Sequence, residues 1–164
     1  MVWACFAGGL NGTCIGLRVQ EGGSVNATAY IRTSEFSLLD FLEKLEEKGI
    51  SPVSMQDNAR VHTAKLTKEW LEENNVEVLK DSSPYSPDLN PIEHVWVQLK
   101  KLYHEHYSHL AADTRSADKV KPLIEEALIH CWELIPDTLF ENLVPSIPRR
   151  IATVIKAKGW YTKY

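Results

Sequence analysis

The sequence predicts a layered α/β domain whose C-terminal part is helical. Three observations carry this expectation: an apolar hairpin at the start, helix and strand periods that alternate between residues 26 and 79, and helical spacing sustained from residue 92 onward.

Taken in order, Met1–Ala7 and Thr13–Val19 are short apolar runs around Gly8-Gly9-Leu10-Asn11-Gly12, and Asn-Gly between such runs signals a hairpin. Glu21-Gly22-Gly23-Ser24 reads as a loop. From about Asn26 to Lys48 the period turns helical, with Leu38, Phe41, Leu42 and Leu45 on one face and Gly49 as a left-handed stop. Pro52–Asp57 is a strand candidate. A helix over 63–74 follows, with Ala64, Thr67, Trp70 and Leu71 inward and Asn74-Asn75 ending it; Val76–Leu79 reads as another strand. Residues 81–91 form a loop dense in Ser, Pro and Asp. Beyond it, Ile92, Val95, Trp96, Leu99, Leu102 and Tyr103 share one helical stripe, and Val120, Leu123, Ile124, Ala127, Leu128 and Cys131 share another. Pro136 opens a short helix through Phe140 and Leu143. Pro145 and Pro148 break the chain before a last helix with Ile151, Val154 and Ile155.

At 164 residues, 44% hydrophobic and 24% charged, the chain fits one domain, 1–164, with a sizeable core. A net charge of −4 argues against a free-standing nucleic-acid-coating protein, whose affinity would come from many phosphate contacts. It leaves open an enzyme that works on DNA through metal-binding carboxylates. Cys5, Cys14 and Cys131 form no C-x-x-C pair, so reduced thiols are expected rather than a Cys5–Cys14 bridge. The uncharged stretch Met1–Leu17 has no basic leader and is broken by glycines, so neither membrane insertion nor secretion is expected, and a nuclear or cytoplasmic protein is. His104, His106 and His109 invite a zinc reading, but no further Cys or His completes a tetrahedral set at a familiar spacing.

The chemistry concentrates in two segments. In Met55-Gln56-Asp57-Asn58-Ala59-Arg60-Val61-His62, an acid ends a strand and precedes a helix, where α/β sheets place catalytic groups. Asp57 as a turn-forming residue is the plainer alternative. In Ser83-Pro84-Tyr85-Ser86-Pro87-Asp88-Leu89-Asn90-Pro91-Ile92-Glu93-His94-Val95-Trp96, Asn90 suits an N-cap and Pro91 the first helical position. Glu93 then falls in the first turn, favoured there by the helix dipole; a capping role with Asn90 is its plainer alternative. Asn58 and His62 are candidate supporting residues. In the tail, Arg149, Arg150, Lys156, Lys158 and Lys163 stand with no acid among them. Phosphate contact by Arg149, Arg150, Lys156 and Lys158 competes with a solvated helix face.

The run Gln56-Asp57-Asn58-Ala59-x-x-His62, followed by Ser86-Pro87-Asp88-Leu89-Asn90-Pro91-Ile92-Glu93-His94-x-Trp96, resembles the signature pair of mariner-type DDE transposases. Thirty-five residues separate the two acids, close to the family's spacing, and Met1-Val2-Trp3-Ala4-Cys5-Phe6 resembles the strand before its second Asp. The resemblance implies an RNase H-like fold, a five-stranded mixed sheet flanked by helices. It also implies two Mg²⁺ or Mn²⁺ ions about 4 Å apart, held by three carboxylates, of which Asp57 and Glu93 would be catalytic metal ligands. DNA, as transposon ends or target, is the implied partner, with no small-molecule cofactor. The family's first Asp lies on a strand upstream of this hairpin. The domain is therefore expected to be incomplete at its N-terminus, with the first strand missing, prone to dimerise as a homodimer, and inactive alone. The alternative is a non-catalytic, domesticated module that binds DNA or protein through the same scaffold.

Overall fold

Helix α1 (Ala27–Glu46) is set by signals at both of its ends. Asn26, in extended conformation, accepts a hydrogen bond from the Ala29 amide through its side chain (2.9 Å), satisfying one of the donors that a helix start leaves open. At the other end Gly49 has φ +74°, with Ile50 N donating to Leu45 O (3.0 Å) and Gly49 N to Glu46 O (2.8 Å). Those two bonds form the paired motif by which a left-handed residue closes a helix. The computed structural model that shows this describes residues 2–7, 14–19, 26–79, 89–158 and 160, with the backbone alone for 14–19.

Backbone contacts gather the chain into two compact units, a subdivision that the sequence did not predict. One comprises Met1, Gln20–Asn90 and Arg150–Tyr164; the other comprises Val2–Val19 and Pro91–Arg149. In the first, α1 packs against α2 (Arg60–Thr63) and α3 (Lys65–Glu73). Leu38, Phe41 and Leu45 are buried as the helical period requires, while Leu42 is half-buried. The same face carries Tyr30, Ser34 and Ser37 inward near its start. The single helix expected over 63–74 is instead two, because Ala64 is extended (φ −59°, ψ 142°). Thr67 and Leu71 still face inward. Asn75 (φ 54°) ends α3, with Val76 N donating to Leu71 O (2.9 Å), as Asn74-Asn75 predicted.

The strands expected at Pro52–Asp57 and Val76–Leu79 reduce to one isolated parallel bridge, Ser54 to Val78. Ser54 N donates to Glu77 O and Leu79 N to Ser54 O, both at 2.8 Å. Pro52 has no amide donor to lengthen the ladder.

In the second unit, β1 (Val2–Phe6) and β2 (Cys14–Val19) pair antiparallel, with Val2 opposite Val19 and Cys5 opposite Ile15. This confirms the expected hairpin, whose turn lies outside the described residues, as does most of the loop expected over 81–91. Cys131 is a free, buried thiol. Helix α4 (Ile92–Tyr107) packs on α5 (Ala117–Glu133), with a 3₁₀ turn, Ser108–Ala112, between them. Helix α6 (Asp137–Leu143) follows Pro136. Their shared core is Ala4, Val95, Leu99, Cys131, Trp132, Ile135, Phe140 and Leu143. Trp132 stands between two aromatic neighbours, Trp96 at 6.0 Å and Phe140 at 5.9 Å between ring centroids. Burying a side chain of the Leu or Phe class contributes about 2 kcal/mol, so this cluster dominates the unit's stability.

Helix α7 (Ile147–Lys156) starts one residue before Pro148 rather than after it. A proline in the first turn loses no helical hydrogen bond and has the right φ, so it begins this helix instead of blocking it. Its Ile151 and Ile155 are exposed rather than core residues. Among the described residues the strands are one two-stranded hairpin and one bridge. The five-stranded mixed sheet is therefore corrected here to a predominantly helical arrangement.

Candidate metal centre around Asp57

The Ser54 bridge fixes the chain three residues ahead of Asp57, and α2 begins three residues after it. Between these anchors the backbone must turn, and Asp57 makes the turn itself: its Oδ1 accepts from the Ala59 amide at 3.0 Å. The plain structural role foreseen for Asp57 is therefore real, but it occupies only one oxygen. His62 Nδ1 lies 2.6 Å from the same Oδ1 and 3.2 Å from the Asp57 carbonyl oxygen. Both neighbours are acceptors, so Nδ1 must carry the proton, and Nε2 is the nitrogen left to accept when the ring is neutral. No described residue hydrogen-bonds to Oδ2, and the Asp57 side chain is exposed.

His62 is held from two sides. Its ring packs against Tyr30 of α1, with centroids 4.6 Å apart and planes inclined by 58°. The turn of α2 that carries it is pinned by Thr67, fully buried, whose hydroxyl donates to Val61 O at 2.6 Å. Tyr30, also buried, donates its hydroxyl to Gln56 Oε1 at 3.0 Å. Sequence reasoning named His62 but missed Tyr30. The available signal was a tyrosine on the inner stripe of α1, whose hydroxyl needs a polar partner once buried.

Glu93 is exposed in the first turn of α4, as expected, and no described residue pairs with it. Pro91 already has helical dihedrals (φ −63°, ψ −24°), consistent with its expected place at the helix start. Asn58 is exposed beside Asp57. Asp57, Asn58 and His62 belong to the first compact unit and Glu93 to the second. Of the tail's basic residues, Arg149, Lys156 and Lys158 are exposed, whereas Arg150 is 3% exposed and not placed to meet a phosphate. The acids ahead of Asp57 include Glu35, Asp40, Glu43 and Glu46, all on α1 and none on a strand; Glu21 lies outside the described residues.

Among the groups perturbed away from this site are Cys5 and Asp113. Burial pushes the Cys5 thiol up to about 12. Asp113 is held down to about 2, first by the side-chain hydrogen bonds from Arg115.

Exposed carboxylate oxygens suit a hard divalent cation such as Mg²⁺ or Mn²⁺, and Asp57 Oδ2 and Glu93 are the donors of that type offered here. Among the described residues no group of three or more His, Cys, Asp or Glu side chains is placed to hold a metal ion. No described helix is long and apolar enough to cross a membrane.

Solved structures share this fold. The Mos1 transposase catalytic domain with raltegravir and Mn superposes with a TM-score of 0.70 at 23% identity, covering 93% of this chain and 74% of that one. The Mos1 paired-end complex with the left transposon end gives 0.64 at 24% identity, covering 92% and 42%. The fold is thus that of a mariner transposase catalytic domain, which is RNase H-like. The model of the DDE superfamily endonuclease family matches residues 11–115, a stretch that includes both Asp57 and Glu93. The chain belongs to that family. The Tcb2 transposase of Caenorhabditis briggsae and the Tc1 transposase of Caenorhabditis elegans are each 32% identical over 164 residues, 100% of this chain and 54% of theirs. The chain therefore spans about half the length of these curated relatives.

Proposed function

We propose that this chain is the endonuclease and strand-transfer part of a transposase, acting on DNA phosphodiester bonds by two-metal chemistry. Asp57 and Glu93 would be two of three carboxylate ligands. The observation that carries this is the family match, which runs through both acids, joined to an Asp57 whose second oxygen is open while its first is held by His62.

A pair of Mg²⁺ or Mn²⁺ ions supplies activation of the attacking oxygen and stabilisation of the leaving oxygen when bound. The protein's own contribution is orientation. His62 and the Ala59 amide fix the Asp57 carboxylate through Oδ1, leaving Oδ2 toward solvent as a ligand. The helix dipole favours the ionised Glu93 at the start of α4. Arg149, Lys156 and Lys158 are exposed cations that would meet a DNA backbone. DNA as partner is supported by the transposon-end complex of the structural relative and by the transposase names of the sequence relatives. The reading keeps the activity nuclear or cytoplasmic, with a homodimer as the proposed assembly. No acid stands on a described strand as the third carboxylate. The non-catalytic alternative draws no support from the comparisons.

The test is calorimetric titration with Mn²⁺ and nicking of supercoiled plasmid, each for the protein, Asp57→Ala and Glu93→Gln. Metal binding, and any nicking, that either substitution abolishes supports the assignment. Binding or cutting that both leave intact contradicts it.

A further inference from the structure

Asp57 is a short side chain on an exposed turn, and such a carboxylate rotates freely unless something holds it. Oδ1 is held by His62, so the question passes to what holds His62. The imidazole has one side against the Tyr30 ring, at 4.6 Å, and its Nδ1 toward Asp57. Tyr30 is 5% exposed and sits on a 20-residue helix capped at both ends, a firm support for the His62 ring. The same side chain reaches the residue immediately before Asp57 through its hydroxyl, which donates to Gln56 Oε1. One buried aromatic residue therefore holds both flanks of the acid: the residue before it by a hydrogen bond, and its side-chain partner by ring packing.

We infer that Tyr30 is the positioning residue of the Asp57 centre: through Gln56 and His62 it fixes the turn and the Asp57 carboxylate with Oδ1 engaged and Oδ2 presented to a divalent cation. The inference rests on the proposed role of Asp57 as a metal ligand. The chemistry follows from what a cation site demands. A carboxylate that must be reoriented on binding loses affinity through the ordering it requires, and groups that orient a ligand typically change metal affinity about 10–100-fold when removed. The fixed tautomer is part of the device. With Nδ1–H toward Asp57, His62 adds a donor that satisfies Oδ1 without competing for Oδ2.

The experiment uses Tyr30→Phe, which keeps the ring against His62 and removes only the hydroxyl, and Tyr30→Leu, which removes both contacts. Two readouts are taken on each: the His62 tautomer from imidazole ¹⁵N shifts without metal, and Mn²⁺ affinity by calorimetry. Tyr30→Leu is expected to mix the tautomers and weaken Mn²⁺ about 10-fold. Tyr30→Phe is expected to keep Nδ1–H and weaken Mn²⁺ by about 2–3-fold, a smaller part of the same effect. A melting curve confirms that each variant is folded, and should Tyr30→Leu not fold, Tyr30→Phe decides. An Nε2–H tautomer in the unaltered protein overturns the inference. So does a folded Tyr30→Phe whose Mn²⁺ affinity and Gln56 and Asp57 resonances match those of the parent. If Asp57→Ala leaves Mn²⁺ affinity unchanged, it is the ligand role of Asp57 that fails, and the tautomer comparison still judges what Tyr30 does.

Discussion

His62 Nδ1 and Asp57 Oδ1 lie 2.6 Å apart, across a turn that Asp57 itself closes with the Ala59 amide. The pair is a device for orientation more than for stability. The His62 side chain is 18% exposed and that of Asp57 60%, and a polar contact so open to water contributes less than about 1 kcal/mol. Replacing His62 with Ala should therefore shift the urea midpoint little, while weakening Mn²⁺ binding about 10-fold. Urea unfolding and calorimetry on the same preparation separate the two effects; a large stability loss with unchanged metal affinity would assign His62 a purely structural part.

Gly49 isolates backbone strain from packing. Its φ is +74°, yet a β-carbon built there meets nothing within 4 Å. Gly49→Ala should cost about 1 kcal/mol from the left-handed backbone alone, measured by chemical denaturation. A cost several times larger would mean that the side chain encounters something.

Thr67 is fully buried and ties α3 to the turn carrying His62. Thr67→Val keeps the shape and removes the hydroxyl, leaving the Val61 carbonyl without that donor, at a cost of about 1–3 kcal/mol. Thr67→Ser should restore most of it. A loss in Thr67→Ser with none in Thr67→Val would show that the methyl group, not the hydrogen bond, matters.

The Asp113–Arg115 contact, a fork of hydrogen bonds from the guanidinium to both carboxylate oxygens, gives a pH signature. The folded carboxyl is depressed to about 2 from 3.8, so its contribution to stability is complete above 3.8 and is lost as pH falls through 2. In Arg115→Ala, which keeps the amide bond of residue 115 to Asp113, the Asp113 carboxyl should titrate higher than in the parent, followed by ¹³C resonances, and the acid limb of the stability profile should flatten. An Asp113 titration unchanged by the substitution would contradict the pairing.

Much of this was legible in the chain. Asn26, Gly49 and Asn75 mark helix ends by local chemistry that operates whatever surrounds it, and each does what its residue type predicts. The stripe Val95–Leu99 and the stripe ending at Cys131 found each other because apolar faces at helical spacing must be covered. The strands were overestimated because a ladder depends on neighbours distant in sequence, and a β-rich string such as Pro52–Met55 does not reveal how many donors it will meet. At the site, Asp57 and His62 were named from their motif. Tyr30 was not, because it lies 27 residues from Asp57 along the chain and only the packing of α1 against α2 makes it a neighbour.

The proposed ligand roles of Asp57 and Glu93 are tested most directly by paramagnetic relaxation with substoichiometric Mn²⁺, read at side-chain carboxyl ¹³C signals. Asp57 and Glu93 should each broaden ahead of the other exposed carboxylates, such as Glu35 and Glu69. Broadening at Asp57 and Glu93 no greater than at Glu35 and Glu69 would contradict those roles.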